Sequence, residues 1–198
     1  MKSRLAILIP TMPDRKEFLE RLLSGLKPQC EKYPDEVSII ILNDNPNEPK
    51  KSTGEKRNLL TEEAIAAGFS HRAFVDDDDT VTDDYLDLNM PGVRGDYDCN
   101  SLIGIYSVDG VSNPDKHIFI HSLKYSHWYE DASHYYRNPN HLNVIKLSLI
   151  KDIKFQHKHF GEDGCWSEDL AKAGVLKREY EITKPFYNYL CITKPKIK

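Results

Sequence analysis

Three short apolar runs, separated by two stretches of helical period, constrain this fold more than any other feature of the sequence. The first run, LAILIP (Leu5 to Pro10), has no polar side chain until its end, which is the pattern of a strand buried on both faces of a parallel sheet. Phe18, Leu22 and Leu26, with Leu19 and Leu23 beside them, then recur every three or four residues and mark an amphipathic helix closing near Gly25 and Pro28. VSIIILND (Val37 to Asp44) reads as a second buried strand. Ser52, followed three positions later by Glu55, matches a capping box, so STGEKRNLLTEEAIAAG reads as a helix stopped by Gly68. RAFVD supplies the third strand.

This β-α-β-α-β order implies a parallel sheet with right-handed crossovers, and ligands of such sheets sit beyond the carboxyl ends of the strands. The polar groups at those ends are Thr11, Asp44 and Asp76 to Asp79, so one crevice collects them. In the second half CNSLIGIYSV, HIFIHSL and HLNVIK read as strands, and SEDLAKAG reads as a helix closed by Gly174. The expectation is an α/β fold with one mixed, mostly parallel sheet flanked by helices. It forms a single compact domain whose halves, 1–95 and 96–198, divide the work.

The acids at the third strand end carry the chemistry. HRAFVDDDDTVTDDYL places four consecutive aspartates behind an apolar run, and unpaired carboxylates repel one another and resist burial. One reading is an acidic loop with a helix start at Thr82, where Asp83 and Asp84 favour the dipole. A calcium loop through Asp76, Asp78, Thr80, Thr82 and Asp84 fails at Val81, where the turn needs Gly, and at Asp87, where a bidentate Glu is expected. A third reading is a divalent ion, magnesium or manganese, bridging carboxylates and a phosphorylated ligand. A fourth is the DxDxT of haloacid-dehalogenase-type phosphatases at Asp76, Asp78 and Thr80, although in that family the motif follows the first strand.

Composition narrows the classes. The chain has 198 residues with 27 Lys plus Arg against 31 Asp plus Glu, a formal charge of −4, which argues against a dedicated nucleic-acid binder. Cys30, Cys99, Cys165 and Cys191 are scattered without metal or disulfide spacing and read as structural thiols in a reducing compartment. Only six positions separate Arg4 from the end of the first apolar run at Pro10. That is too short for a signal-peptide core or a membrane span, so the expectation is a cytoplasmic protein.

Five segments in order resemble the GT-A glycosyltransferases, most closely the inverting family-2 group: AILIPTMPDR, IIILNDN, GEKRNLL, FVDDDD and GEDGCWSEDLAKAG. The resemblance spans nearly the whole chain and implies a metal-dependent enzyme of small bacterial or phage type. Such an enzyme transfers a hexose or pentose from a nucleoside-diphosphate sugar, a UDP-sugar above all, to an acceptor hydroxyl. It implies that Pro10, Thr11, Arg15, Asp44, Lys56, Arg57, Asp76 and Asp77 bind the nucleotide. Asp78, with Asp76, would ligate Mn2+ or Mg2+ as the DxD motif. Asp163 would be the catalytic base, with Glu162 beside it orienting the acceptor or a neighbouring group. The family often shows Asp-Gly-Ser after the second strand, where this chain has Asp44-Asn45-Pro46.

Chemistry asks for the same residue types. A nucleoside diphosphate leaves only when its charge is stabilised, and an attacking hydroxyl must lose a proton to a carboxylate on the opposite face. Without the resemblance, Glu162 and Asp163 read as helix-capping acids. His141 and Trp166 are candidates for the acceptor site, which would take a glycan or a small molecule; modified phage DNA is a further acceptor, disfavoured by the acidic balance. His157 and His159 read as surface histidines, and YSHWYEDASHYY reads mainly as packing, with sugar stacking as the alternative. A non-catalytic, cation-dependent carbohydrate-binding module remains the third class beside transferase and phosphatase.

Overall fold

A computed structural model describes residues 4–113 and 116–191. In chain order the elements are β1 (Leu5–Thr11), α1 (Lys16–Cys30), β2 (Val37–Asn43), α2 (Thr53–Ala66), β3 (His71–Phe74), β4 (Thr80–Val81), α3 (Tyr85–Arg94), β5 (Cys99–Asn100) and β6 (Leu102–Val108). There follow β7 (Ile118–His121), β8 (Tyr129–Glu130), β9 (His134–Arg137), β10 (Ile145–Lys146), α4 (Leu147–Ile150), α5 (Glu162–Ala173), β11 (Glu179–Tyr180) and β12 (Tyr187–Cys191).

The apolar run of β1 is explained by its place. It lies between β2 and β3, parallel to both, with Leu5 opposite Val37 on one side and His71 on the other. Successive side chains of a strand point to opposite faces. Leu5, Ile7 and Ile9 therefore join Leu22 and Leu26 of α1 and Leu86, Met90 and Val93 of α3 in one core. Ala6 and Leu8 face the other way, against Leu60 and Ala64 of α2 and Trp166 and Leu170 of α5. Each large apolar side chain sealed this way contributes roughly 1.5–3 kcal/mol of transfer free energy, so β1 anchors both faces of the sheet.

The first sheet runs β11-β5-β10-β3-β1-β2, and the second half also builds a sheet of its own, β4-β12-β6-β7-β9-β8. The α/β fold expected from the sequence, a mixed sheet flanked by helices, is present, with its strands divided between two sheets, both mixed. The segment read as one strand, CNSLIGIYSV, splits at Ser101: Cys99 pairs with β10 and β11 in the first sheet, while Leu102 to Ile105 pair with β7 in the second. Ser101 is buried and its Oγ donates to the Ile182 carbonyl, which pins the switch point. HLNVIK is a strand only over Ile145–Lys146.

Two helix ends also differ. α1 continues through Gly25 and Pro28 to Cys30, because Pro28 falls in the last turn, where its ring removes at most one helical hydrogen bond. α5 begins at Glu162, well before SEDLAKAG, and closes at Gly174 as expected. Ser52 caps α2 by accepting from the Glu55 N–H at 3.2 Å. No helix among the described residues is long and apolar enough to cross a membrane.

Candidate active site

The carboxyl ends of β1 and β3 open into a cleft of about 410 Å³, within the size range of small-molecule sites. Pro10, Thr11 and Arg15 border it from β1 and the turn after it, Lys56 and Arg57 from α2, Asp76 to Asp78 from the turn after β3, and Glu162 and Asp163 from the start of α5. His141, Phe160 and Tyr189 complete the rim.

Close backbone contacts bring α2 and α5 to this point. Gly54 donates its N–H to the Lys158 carbonyl at 3.1 Å. A Cβ on Gly54 would lie 1.9 Å from the Gln156 carbonyl oxygen, so only glycine lets the start of α2 sit against the strand-like segment leading to α5. Gly161 adopts φ 74°, a left-handed conformation ahead of α5 that turns Glu162 inward. The signal for both was in the sequence, as the glycines of GEKRNLL and FGEDG.

The charged groups form a network across these elements. Arg57 is buried; it binds both oxygens of Asp76, at 2.9 and 3.2 Å, and also pairs with Glu162. His141 Nε2 lies 3.4 Å from Asp76 Oδ2, and the His141 carbonyl is fixed by Arg72 at 2.7 Å and by the Phe74 N–H. Arg15 spans Asp77 at 2.7 Å and Asp78 at 2.5 Å, while Thr11 Oγ1 donates to Asp77 at 2.6 Å. Lys56 pairs with Asp44 at 2.7 Å and donates to the Thr11 carbonyl at 2.8 Å, tying the ends of β1 and β2 together.

These contacts set the ionisation of the site. Removal from water works against the Asp76 charge, but Arg57 and His141 overcome it and hold its pKa well below the usual carboxylate range. Burial raises the pKa of Glu162 despite Arg57, and raises that of Asp77 despite Thr11 and Arg15. Burial, then the Arg57 charge, lowers the pKa of His141, which is neutral at pH 7. The fourth aspartate, Asp79, is turned away from the cleft: it accepts from Tyr187 Oη at 2.6 Å and from the Leu190 N–H at 2.9 Å, and burial beside Asp76 pushes its pKa well up.

Asp163 is the exception. It lines the cleft and, among the described residues, makes no hydrogen bond or ion pair. It stands one residue from Glu162, whose carboxylate is committed to Arg57.

The cleft can also be tested as a site for a divalent ion. Among the described residues no three His, Cys, Asp or Glu side chains converge to hold a metal by themselves. Asp76 is engaged by Arg57 through both oxygens. Asp78 gives Oδ2 to Arg15 and keeps Oδ1 at the cleft, its side chain 31% exposed. Magnesium needs only one or two protein carboxylates when substrate phosphates complete its shell. The residues therefore fit an ion shared with a diphosphate, for which Asp78 has the freer oxygen, and do not fit a closed protein cage.

Of the residues singled out from sequence, Pro10, Thr11, Arg15, Lys56, Arg57, Asp76, Asp77, Asp78, Glu162, Asp163 and His141 all border one cleft. Asp44 sits behind it, on Lys56. Trp166 is placed elsewhere: it is 1% exposed, stacks on Phe155 at 4.8 Å and donates its Nε1–H to the Ile153 carbonyl, so it belongs to the core and does not line the cleft. His157 and His159 are exposed, the latter at the cleft rim. Sequence reasoning missed Tyr189 and Phe160. Tyr187 and Tyr189 in FYNYLC share one strand face, a period-two signal that could have marked β12 as facing the acids; Phe160 had no such signal.

No protein-family model and no curated protein matches the sequence. Solved structures do match in fold. S. aureus TarS 1-349 in complex with UDP-GlcNAc superposes with a TM-score of 0.60 at 14% identity, over 94% of this chain and 58% of that one. The complex of the same protein with UDP gives 0.61 at 15% identity, over 94% and 60%. The catalytic domain of Drosophila β1,4-galactosyltransferase 7, in complex with xylobiose, gives 0.52 at 16% identity, over 92% and 67%. The chain thus spans about three fifths of the TarS fragment's length, and its architecture is that of the GT-A nucleotide-sugar transferase fold.

Proposed function

We propose that this chain is an inverting glycosyltransferase that moves a sugar from a nucleoside-diphosphate sugar, UDP-linked, to an acceptor hydroxyl. The observation that carries the reading is the unpaired Asp163. Asp76, Asp77, Asp78 and Glu162 are each held by an arginine, and Asp163 alone among these cleft carboxylates has no partner. A base that takes a proton from an attacking hydroxyl must be accessible and free of a competing ion pair, and Asp163, half-buried at the cleft, meets both needs. The fold supports the donor class, since the TarS structures of the same architecture hold UDP-GlcNAc and UDP.

In this reading the first 95 residues bind donor and the remainder shapes the acceptor side. Thr11 and Asp44 stand at the strand ends where the nucleoside lies, with Asp77 within reach of the ribose. Lys56, Arg57 and Arg15 offer positive charge to the diphosphate. A manganese or magnesium ion on Asp78, when bound, neutralises charge on the departing diphosphate. Arg57 keeps Asp76 ionised and Glu162 in place, so the floor of the cleft is fixed before the donor arrives.

Asp163→Asn tests the assignment. It keeps size and most hydrogen bonding and removes basicity, so transfer should fall by roughly 10²- to 10⁴-fold, about 3 to 5.5 kcal/mol of barrier, with UDP affinity unchanged. Near wild-type turnover, or loss of UDP binding in a folded variant, would show that Asp163 does something else. The phosphatase alternative makes the opposite prediction: a covalent phosphoryl group on Asp76, trapped with a beryllium fluoride complex.

A further inference from the structure

A second pocket, of about 310 Å³, adjoins the cleft and shares Asp163, His141 and Tyr189 with it. Its aromatic wall comes from the second sheet, as Tyr106, Phe119, Tyr135 and Tyr189. Tyr106 and Tyr189 stack at 5.6 Å with an interplanar angle of 19°, and Tyr135 leans on Tyr106 at 5.8 Å. Aromatic faces edged with hydroxyls suit a sugar or polyol, whose C–H face packs on the ring while its hydroxyls find polar partners.

Arg137, the last residue of β9, also lines this pocket. Its guanidinium carbon lies 4.3 Å from the centre of the Trp128 ring. Among the described residues its side chain makes no ion pair and no hydrogen bond. Arg15, Arg57 and Arg94 all hold carboxylates, and Arg72 is sealed in the core with its Nη1–H on a carbonyl. Arg137 is therefore a half-buried cation, its pKa lowered by burial, that faces an open pocket without a counter-ion in contact. The charge that most supports it is Asp163, acting across the pocket. A guanidinium positioned this way is made whole by a planar or tetrahedral anion, which it can bind with two parallel hydrogen bonds.

We propose that this pocket is the acceptor subsite and that Arg137 selects acceptors bearing an anionic group, a phosphate or a carboxylate. The assignment rests on the glycosyltransferase reading, because it needs the acceptor hydroxyl to face Asp163 from this side. The acceptor's anion sits on Arg137, its ring on Tyr106 and Tyr189, and its hydroxyl at the junction of the two cavities. The competing role is that Arg137 merely balances Asp163, in which case acceptor charge is irrelevant.

The test is calorimetric titration of the whole chain, with saturating UDP and magnesium to fill the donor cleft, using glucose, glucose 6-phosphate and glucuronate as probes. At least one charged probe should bind roughly 10- to 100-fold more tightly than glucose, the strength of a charged hydrogen bond. Whichever charged probe binds more tightly names the group. Arg137→Gln should reduce both to the level of glucose with UDP affinity unchanged, and Arg137→Lys should restore part of the preference. UDP binding with no preference for charge, or a preference that survives Arg137→Gln, overturns the subsite. A wild-type chain that binds no UDP overturns instead the donor reading beneath it.

Discussion

The cleft at the ends of β1 and β3 and the pocket beneath β9 handle charge in opposite ways. In the cleft the carboxylates of Asp76, Asp77, Asp78 and Glu162 are matched to Arg15 and Arg57, with Thr11 and His141 filling remaining valences. In the pocket a single guanidinium and a single carboxylate, Arg137 and Asp163, stand apart without contact. The difference teaches where binding and where chemistry belong. A network of ion pairs gives a preorganised floor for an anionic donor, and charged groups without an ion pair are those a second substrate can complete.

Breaking the paired side should be the costliest change. Arg57→Ala leaves Asp76 and Glu162 as uncompensated charges, one of them buried, and removal of one partner from such a set costs about 3–5 kcal/mol of stability. Urea unfolding would register it as a lowered midpoint. An Arg57→Ala protein as stable as wild type would mean that the network is not what holds the floor.

The fourth aspartate separates charge from hydrogen bonding. Asp79→Ala strands the Leu190 N–H and Tyr187 Oη, at a cost of about 1–3 kcal/mol. Asp79→Asn keeps an acceptor for Leu190 and takes away an ionisable group whose pKa burial has already raised. Its expected loss is under about 1 kcal/mol, and equal destabilisation by the two substitutions would contradict this account.

Protonation gives a graded effect. Burial lowers the pKa of His71, His121 and His141. Their unfolded forms take up protons first, so stability is full above about pH 6.5 and falls as pH drops below it, by about 1.4 kcal/mol per unit for each histidine that stays neutral. Asp76, with its depressed pKa, adds a further loss only as pH falls below about 4, where the unfolded carboxylate protonates. Chemical denaturation at pH 7, 6 and 5 should show the decline, and His141→Gln should flatten it. A stability that rises from pH 7 to pH 5 would contradict neutral histidines.

The unpaired side should yield the least. Arg137→Gln gives up a contact over Trp128 worth about 0.5–1 kcal/mol and breaks no ion pair. A loss as large as that of Arg57→Ala would erase the contrast between the two regions.

Much of the donor side could be read from the chain because its signals are local. Leu5 to Ile9 are buried on both faces, so β1 needs no context to be recognised, and Ser52 with Glu55 announces α2 whatever it packs against. The acids at the end of β3 fell at one cleft for the same topological reason. The second sheet was harder to read. Its strands are half-buried and short, and β9 pairs with β7 in parallel across a long excursion, a contact that no local pattern encodes. Arg137 was overlooked on that account, since nothing in YYRNPN says that its arginine lacks a partner. Trp166 was misplaced for the converse reason: it follows the acids by one turn of α5, and at that depth it stacks on Phe155 in the core.

In the proposed function the matched cleft receives a nucleoside diphosphate together with a divalent ion. This is tested most directly by the melting temperature of the wild-type chain and of Asp78→Asn, each with UDP, manganese, both or neither. The account predicts stabilisation of wild type by UDP and manganese together, about 2.7 kcal/mol at a hundredfold excess over the dissociation constant, and little from either alone or in Asp78→Asn. A wild-type melting temperature that no nucleotide and ion combination moves would contradict it.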